Sequence, residues 1–361
     1  MDTQRIGVGV IGGGYMGKAH AVALSSVGAQ FETQLRPRLV AVCGASPESG
    51  PRHAARFGAD HGLPDWRAVV EHPEVEAVTI ASPPETHREI VLAAFERGLH
   101  VFSEKPLGAS VADGEAMLAA AEAAGTVHMI GFNYVRTPAT QFARALIREG
   151  RIGTPIWARA EHVEDFGAPG TDPTWRSAGQ ANGTIGDLAP HPVNLIRALM
   201  GDVAEVCAVV ETVNPDASND DQAQMMLRFA SGAMGHLFTS RAGWGRKMGY
   251  AYEVHGTDGA IRFDQEDQNA LWLFRRDDEP EVERGFRKIL IGPDHPDYLA
   301  FCQGPAHGTG YQDQIVIEMK DFLEAIHAGT LAWPTFAEGL AVARTIDAAR
   351  RSSESRTWET V

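Results

Sequence analysis

The sequence predicts an α/β protein in two parts. The first is an N-terminal doubly wound parallel sheet, and the second a C-terminal α+β domain on a large open, mainly antiparallel sheet. Three observations predict this. Residues 6–17 pass from an apolar strand through a glycine-rich turn into a helix. Strands and helices then alternate at regular spacing as far as residue 132, the pattern of a parallel sheet covered on both faces by right-handed crossovers. From about residue 203 to 291 apolar and polar residues alternate instead, between glycine-containing turns, which marks half-buried antiparallel strands. A chain of 361 residues is also too long for one ordinary domain. The change of pattern divides it into 1–132 and 133–361.

Each element has a local reason. After the apolar strand at 6–11, Gly12, Gly14 and Gly17 follow in G-x-G-x-x-G spacing. Gly12 permits a tight turn, Gly14 lets a pyrophosphate approach the backbone, and Gly17 lets helix and strand pack closely. Residues 18–24 continue as a helix whose N-terminus offers N–H groups and a positive dipole end to phosphates. Tyr15 and Met16 therefore count with the glycines as cofactor-binding. A buried-type strand at 39–43, a helix closing over 53–57 at Gly58 and a short helix at 66–71 come next, then a strand at 75–81. Helices over 86–97 and 111–124 stop at Gly98 and Gly125, residues that tolerate the left-handed conformation past a helix end. Strands at 100–103 and 127–131 complete the parallel set.

In the second part a helix over 138–149 leads into a strand at 156–161. Strands follow at 206–213, 222–229, 232–239, 250–254, 260–263 and 270–274, with Ser231-Gly232 and Asp258-Gly259 as hairpin signals. One face of such a sheet needs cover, and helices over 312–327 and 336–351 have the apolar period to supply it. The second of them is a candidate to pack back on the first domain.

Composition narrows the function. Charged residues make up 22% and hydrophobic ones 44%, as in soluble globular proteins. Against 47 acidic residues stand 32 basic ones, a net charge of −15 that argues against nucleic-acid or anionic-membrane partners. Cys43, Cys207 and Cys302 are scattered, which supports neither a disulfide framework nor a zinc finger. No apolar run is long enough to span a bilayer, and the first strand begins too early to leave room for a signal peptide. A cytoplasmic location is expected.

Ligands of open parallel sheets bind beyond the carboxyl ends of the strands. Three loops fall there: the glycine turn, Ser82-Pro83-Pro84-Glu85-Thr86-His87, and Glu104-Lys105-Pro106. The paired prolines fix an extended backbone that suits a nicotinamide ribose, or equally a rigid turn before a helix. A Lys105 ammonium held beside a proline can hydrogen-bond a substrate hydroxyl and favour its alkoxide-like form. Further on, Asp187 and His191 are four residues apart and share one helix face. An imidazole is the natural base for an alcohol proton, and a carboxylate can orient it or the substrate. The plainer alternative is Asp187 as a helix cap and His191 as a packed histidine. No metal is expected, since nothing near Asp187, His191 and His307 has metal-like spacing.

Together these pieces resemble the Gfo/Idh/MocA oxidoreductase family over nearly the whole chain. The carriers are Gly12-x-Gly14-x-x-Gly17-x-x-His20, Glu104-Lys105-Pro106, Gly131-Phe132-Asn133-Tyr134 and Asp187-x-x-x-His191. The resemblance implies a Rossmann domain, an open-sheet second domain and a nicotinamide-dependent dehydrogenase of sugars or cyclitols. Lys105, Asp187 and His191 would be its catalytic trio. Ser82, Pro83, His87, Glu104 and Lys105 would join the glycine turn in holding the coenzyme. The stretches 164–166, 241–247, 285–290 and 305–311 look like the branch of scyllo-inositol/L-glucose and levoglucosan dehydrogenases. The implied substrate is a six-membered polyhydroxylated ring, for which Asn133, Asp165, Arg176 and His307 could supply donors and acceptors. A homodimer or homotetramer is expected. Relatives that cleave glycosides through a retained NAD, and others that are non-catalytic regulators, are the alternatives; the retained trio speaks against a regulator.

One departure concerns the coenzyme. NAD binders usually carry an acidic residue after the second strand to accept the ribose 2′-hydroxyl. Here the stretch reads Cys43-Gly44-Ala45-Ser46. Without that carboxylate a 2′-phosphate is not repelled, and Ser46 or Arg52 could contact it. NAD, NADP or both remain open at this point.

Overall fold

The computed structural model describes residues 4–172, 183–278 and 280–361. In chain order the first elements are β1 (Gln4–Ile11), α1 (Tyr15–Gln30), β2 (Leu35–Cys43), α2 (Ser49–Phe57), β3 (His61–Gly62), α3 (Trp66–Val70) and β4 (Ala77–Ile80). They continue with α4 (Pro84–Glu96), β5 (His100–Glu104), α5 (Val111–Ala124) and β6 (His128–Gly131). Next come α6 (Pro138–Arg148), β7 (Pro155–Val163), α7 (Thr184–Asp187), α8 (Pro190–Met200), β8 (Val203–Glu211), β9 (Gln222–Phe229) and β10 (Met234–Ser240). The chain closes with β11 (Gly249–Gly256), β12 (Gly259–Asp264), β13 (Ala270–Arg275), β14 (Arg287–Leu290), α9 (Tyr311–Ala328), α10 (Phe336–Ser355) and β15 (Glu359–Thr360). It divides into two compact units, Met1–Arg136 with Gly310–Ala341, and Thr137–Thr309 with Val342–Val361.

The first unit holds a six-stranded sheet in the order β3-β2-β1-β4-β5-β6. Every pair in it is parallel. Val8, Val10, Val40, Val42, Val78, Ile80, Val101 and Phe102 are buried, as expected of strands covered on both faces. The strand order reverses at β1, so the carboxyl ends of β1 and β4 open the crevice where such sheets bind ligands. Helix ends follow their local chemistry. Ser110 accepts the Asp113 N–H at the start of α5, and Gly125 ends it at φ +64°. The sequence also placed α9 over the antiparallel sheet; it lies instead in the first unit. Gln312 there donates to the Ala19 carbonyl at 2.9 Å, and Phe322 meets Phe102 at 5.8 Å. An apolar period shows that a helix buries one face but not which surface it meets.

The second unit carries a nine-stranded sheet, β14-β13-β12-β11-β7-β10-β9-β8-β15. It is antiparallel except between β10 and β7, which run parallel. Helices α6, α7 and α8 pack on one face. The end of α10 adds hydroxyls: Ser352 and Ser353 accept the N–H groups of Ala208 and Val210, each at 2.9 Å. Alternation puts Trp157, Val209, Met226 and Met234 on the opposite face, where all four are exposed. Among the described residues no helix is long and apolar enough to cross a membrane.

Candidate active site

In the first unit two of the three glycines are required by geometry. Gly12 sits at φ +116°, and a Cβ there would lie 2.5 Å from the Ala81 carbonyl oxygen. A Cβ on Gly17 would lie 1.7 Å from the Gly12 oxygen. Gly14 is different: it caps α1 and faces open space, with nothing within 4 Å of a Cβ. No side chain caps this helix and no acidic residue occupies its first turn. Open backbone at a helix N-terminus fits a dinucleotide pyrophosphate. Tyr15 is exposed beside it, with its ring 6.0 Å from that of Tyr311, whose hydroxyl reaches the Met16 sulfur at 3.5 Å.

The loops after β4 and β5 are stitched together. His87 is wholly buried, and its Nε2 and Nδ1 lie 2.9 and 3.0 Å from the carbonyl oxygens of Ser82 and Pro106. Burial outweighs these contacts and holds its pKa below the usual histidine value. The Ser82 hydroxyl pairs with Thr86 at 2.7 Å, and Pro83 caps α4. Glu104 is also buried. Its carboxylate bonds His20 Nε2 at 3.0 Å and accepts the Lys105 N–H at 3.3 Å. Gly131 makes room for it, since a Cβ there would lie 2.9 Å from Glu104 Oε1. His87 and Glu104 brace the strand end that presents the half-buried Lys105. Asn133 is buried and donates to Gln314 at 2.8 Å.

In the second unit Asp187 ends α7 and His191 stands in the first turn of α8. One helix face with an irregular start was expected; a break at Leu188 and Ala189 separates the two helices. Pro190 and Pro192 lack the N–H groups that would continue the ladder. The segment is held instead by residues just before β9 and just after β10. Asp220 accepts the Ile185 N–H at 2.7 Å, and the buried Arg241 donates to Asn219 at 2.8 Å and to the Asp220 carbonyl at 2.7 Å. His191 is almost fully buried, with its ring 5.8 Å from that of His162. His162 in turn lies 2.9 Å from a Glu164 carboxylate oxygen, and the Tyr250 hydroxyl reaches the His191 carbonyl at 3.5 Å. Asp165 holds Lys247 at 2.6 Å and the Gly245 N–H at 3.2 Å; the lysine keeps its pKa below the usual carboxylate range. His307 is exposed, its ring over Gly304. Arg176 lies outside the described residues.

Sequence reasoning did not single out His162, Arg241, Asp220 or Tyr311. The first lies on the buried face of β7 two residues before Glu164, a His-x-Glu alternation visible in the sequence. Near Glu104, the buried Glu318 carboxyl is pushed well above its usual range by burial and by that neighbour. No spacing announces that pair.

A parallel dinucleotide-type sheet with a braced lysine, and a second unit whose helices α7 and α8 carry an acid and an imidazole, define a nicotinamide-dependent oxidoreductase. The chain belongs to the Gfo/Idh/MocA family. Residues 6–132 match the NAD-binding Rossmann fold of that oxidoreductase family, and residues 140–262 match its C-terminal domain. Levoglucosan dehydrogenase of Pseudarthrobacter phenanthrenivorans is 35% identical, over 98% of both chains. Inositol 2-dehydrogenase of Rhizobium meliloti is 27% identical, over 95% of this chain and 96% of that one. A solved levoglucosan dehydrogenase in complex with NADH and levoglucosan superposes with a TM-score of 0.96 at 36% identity, covering 99% of this chain and 100% of the other.

Proposed function

We propose that this chain is an NAD-dependent dehydrogenase of a six-membered polyhydroxylated ring, of the anhydrosugar, pyranose or cyclitol type. The observation that carries the reading is end-to-end similarity to a levoglucosan dehydrogenase in a chain that keeps Lys105, Asp187 and His191. The coenzyme supplies the hydride acceptor. This chain's residues manage the proton. His191, a nitrogen base in a nearly dry setting, takes the hydroxyl proton. Lys105 donates a hydrogen bond to that oxygen and favours its negative form. Asp187 accepts from a substrate hydroxyl and fixes its orientation. The carbon-bound hydrogen then leaves with its electron pair, giving a ketone.

The exposed apolar face of the nine-stranded sheet supports self-association as a homodimer or homotetramer. A panel of anhydrosugars, aldoses and inositols, assayed with each nicotinamide coenzyme, tests the reading. Net coenzyme reduction on one of these rings supports it. Glycosidic cleavage without net reduction would replace it with the hydrolytic chemistry of some relatives.

A further inference from the structure

We propose that His53 reads the adenosine ribose of the coenzyme: its imidazole, laid on Gly13 and Gly44 at the ends of β1 and β2, receives a 2′-phosphate, so that NADP is bound increasingly well as pH falls. The inference rests on the dinucleotide reading of the glycine turn and deepens it.

The placement is tight. A Cβ on Gly13 would lie 2.1, 2.3 and 2.4 Å from three atoms of the His53 ring. One on Gly44 would lie 2.3 Å from Ser49 Oγ and 2.8 Å from His53 Cδ2. The ring thus fills the position from which an acidic residue after β2 would reach the ribose hydroxyls. It stacks on Phe57 at 5.4 Å and 28°, and Ser49 anchors the start of the same helix by donating to the Ser46 carbonyl at 2.6 Å.

Its charged neighbours come from α2 and the loop before it. Arg52 and Arg56 are exposed cations on the same helix. Glu48 is exposed and hydrogen-bonded to Ser46 and to its own backbone. From β2 the buried Cys43 thiol, pushed up to about 11, brings no charge. Burial and the two arginines hold the His53 pKa below its usual value, so near neutrality the ring is uncharged and compatible with a 2′-hydroxyl. A 2′-phosphate favours the imidazolium. Its binding takes up a proton and strengthens as pH falls through the pKa of the bound state.

Titration calorimetry of the full chain with 5′-AMP and with adenosine 2′,5′-bisphosphate tests this without any catalytic step. From pH 8 to pH 6 the affinity ratio favouring the bisphosphate should rise, with about tenfold as the ceiling for each unit by which the phosphate raises the His53 pKa. In His53→Gln, with His53→Asn as a second variant checked for folding, the ratio should stay flat. Any change there should be a slight fall near pH ~6, where the phosphate takes its own second proton, and never a rise. A flat ratio in the unaltered chain, or an equal rise in both, overturns the proposal. Failure of both nucleotides to bind overturns the dinucleotide reading with it. An intact ratio without sugar oxidation overturns only the proposed substrate.

Discussion

His87 Nδ1 lies 3.0 Å from the Pro106 carbonyl oxygen, inside a core that excludes solvent from the ring. With its other nitrogen on Ser82, this one side chain sets the loop after β4 against the loop that carries Lys105. His87→Ala should therefore cost about 1–3 kcal/mol of stability, because a buried carbonyl loses the imidazole N–H it accepts from. It should also lower turnover by about tenfold or more through misplacement of Lys105. Urea unfolding and steady-state kinetics measure the two effects. A stable variant with unchanged kcat would remove the bracing role.

Stability should fall in mild acid because of His128. Its Nδ1 accepts the Phe336 N–H at 3.2 Å at the start of α10, and burial lowers its pKa to about 4. The unfolded chain takes up that proton near pH ~6.5. Between pH 6.5 and 4 the unfolded state thus binds more protons, and stability rises with pH across that window. Urea midpoints at pH 7 and pH 5 should differ, with a loss of about 1–2 kcal/mol at the lower pH. His128→Asn should reduce the difference; an equal loss in the variant would assign it elsewhere.

The glycine turn was legible because its constraints are local: Gly12 needs a positive φ, and Gly17 has an oxygen where its Cβ would stand. Alternation on β9 and the Ser231-Gly232 hairpin were legible for the same reason. What could not be read was which way a side chain turns after the chain packs. His87, Glu104 and Asn133 occupy loops at strand ends, and the internal partner each one finds is distant in sequence. The parallel entry of β7 beside β10 is likewise set by tertiary contacts, since either direction shows the same alternation.

Gly44→Asp alone should not yield a better NAD enzyme. Its Cβ would meet Ser49 and the His53 ring, so the carboxylate gains no room and both coenzymes should bind more weakly. Paired with His53→Ala, it should shift preference toward NAD by repelling a 2′-phosphate. The NAD/NADP ratio of kcat/KM in the single and double variants decides. A shift in the single variant equal to that in the double would contradict the crowding.

Trp157, Met226 and Met234 form an exposed apolar strip on the open sheet. Trp157→Glu should lower the assembly state in light scattering while leaving far-UV circular dichroism unchanged. A monomeric wild type, or an assembly indifferent to the charge, would move the interface elsewhere.

The most direct measurement is the rate of nicotinamide reduction on the best substrate of the panel, in wild type, Lys105→Ala, His191→Ala and the double variant. Each single change should lower kcat by roughly 10²–10⁴-fold, with NADH affinity retained, and on the proposed sharing of one oxygen the double should fall little further. Wild-type turnover in either single variant would contradict the account.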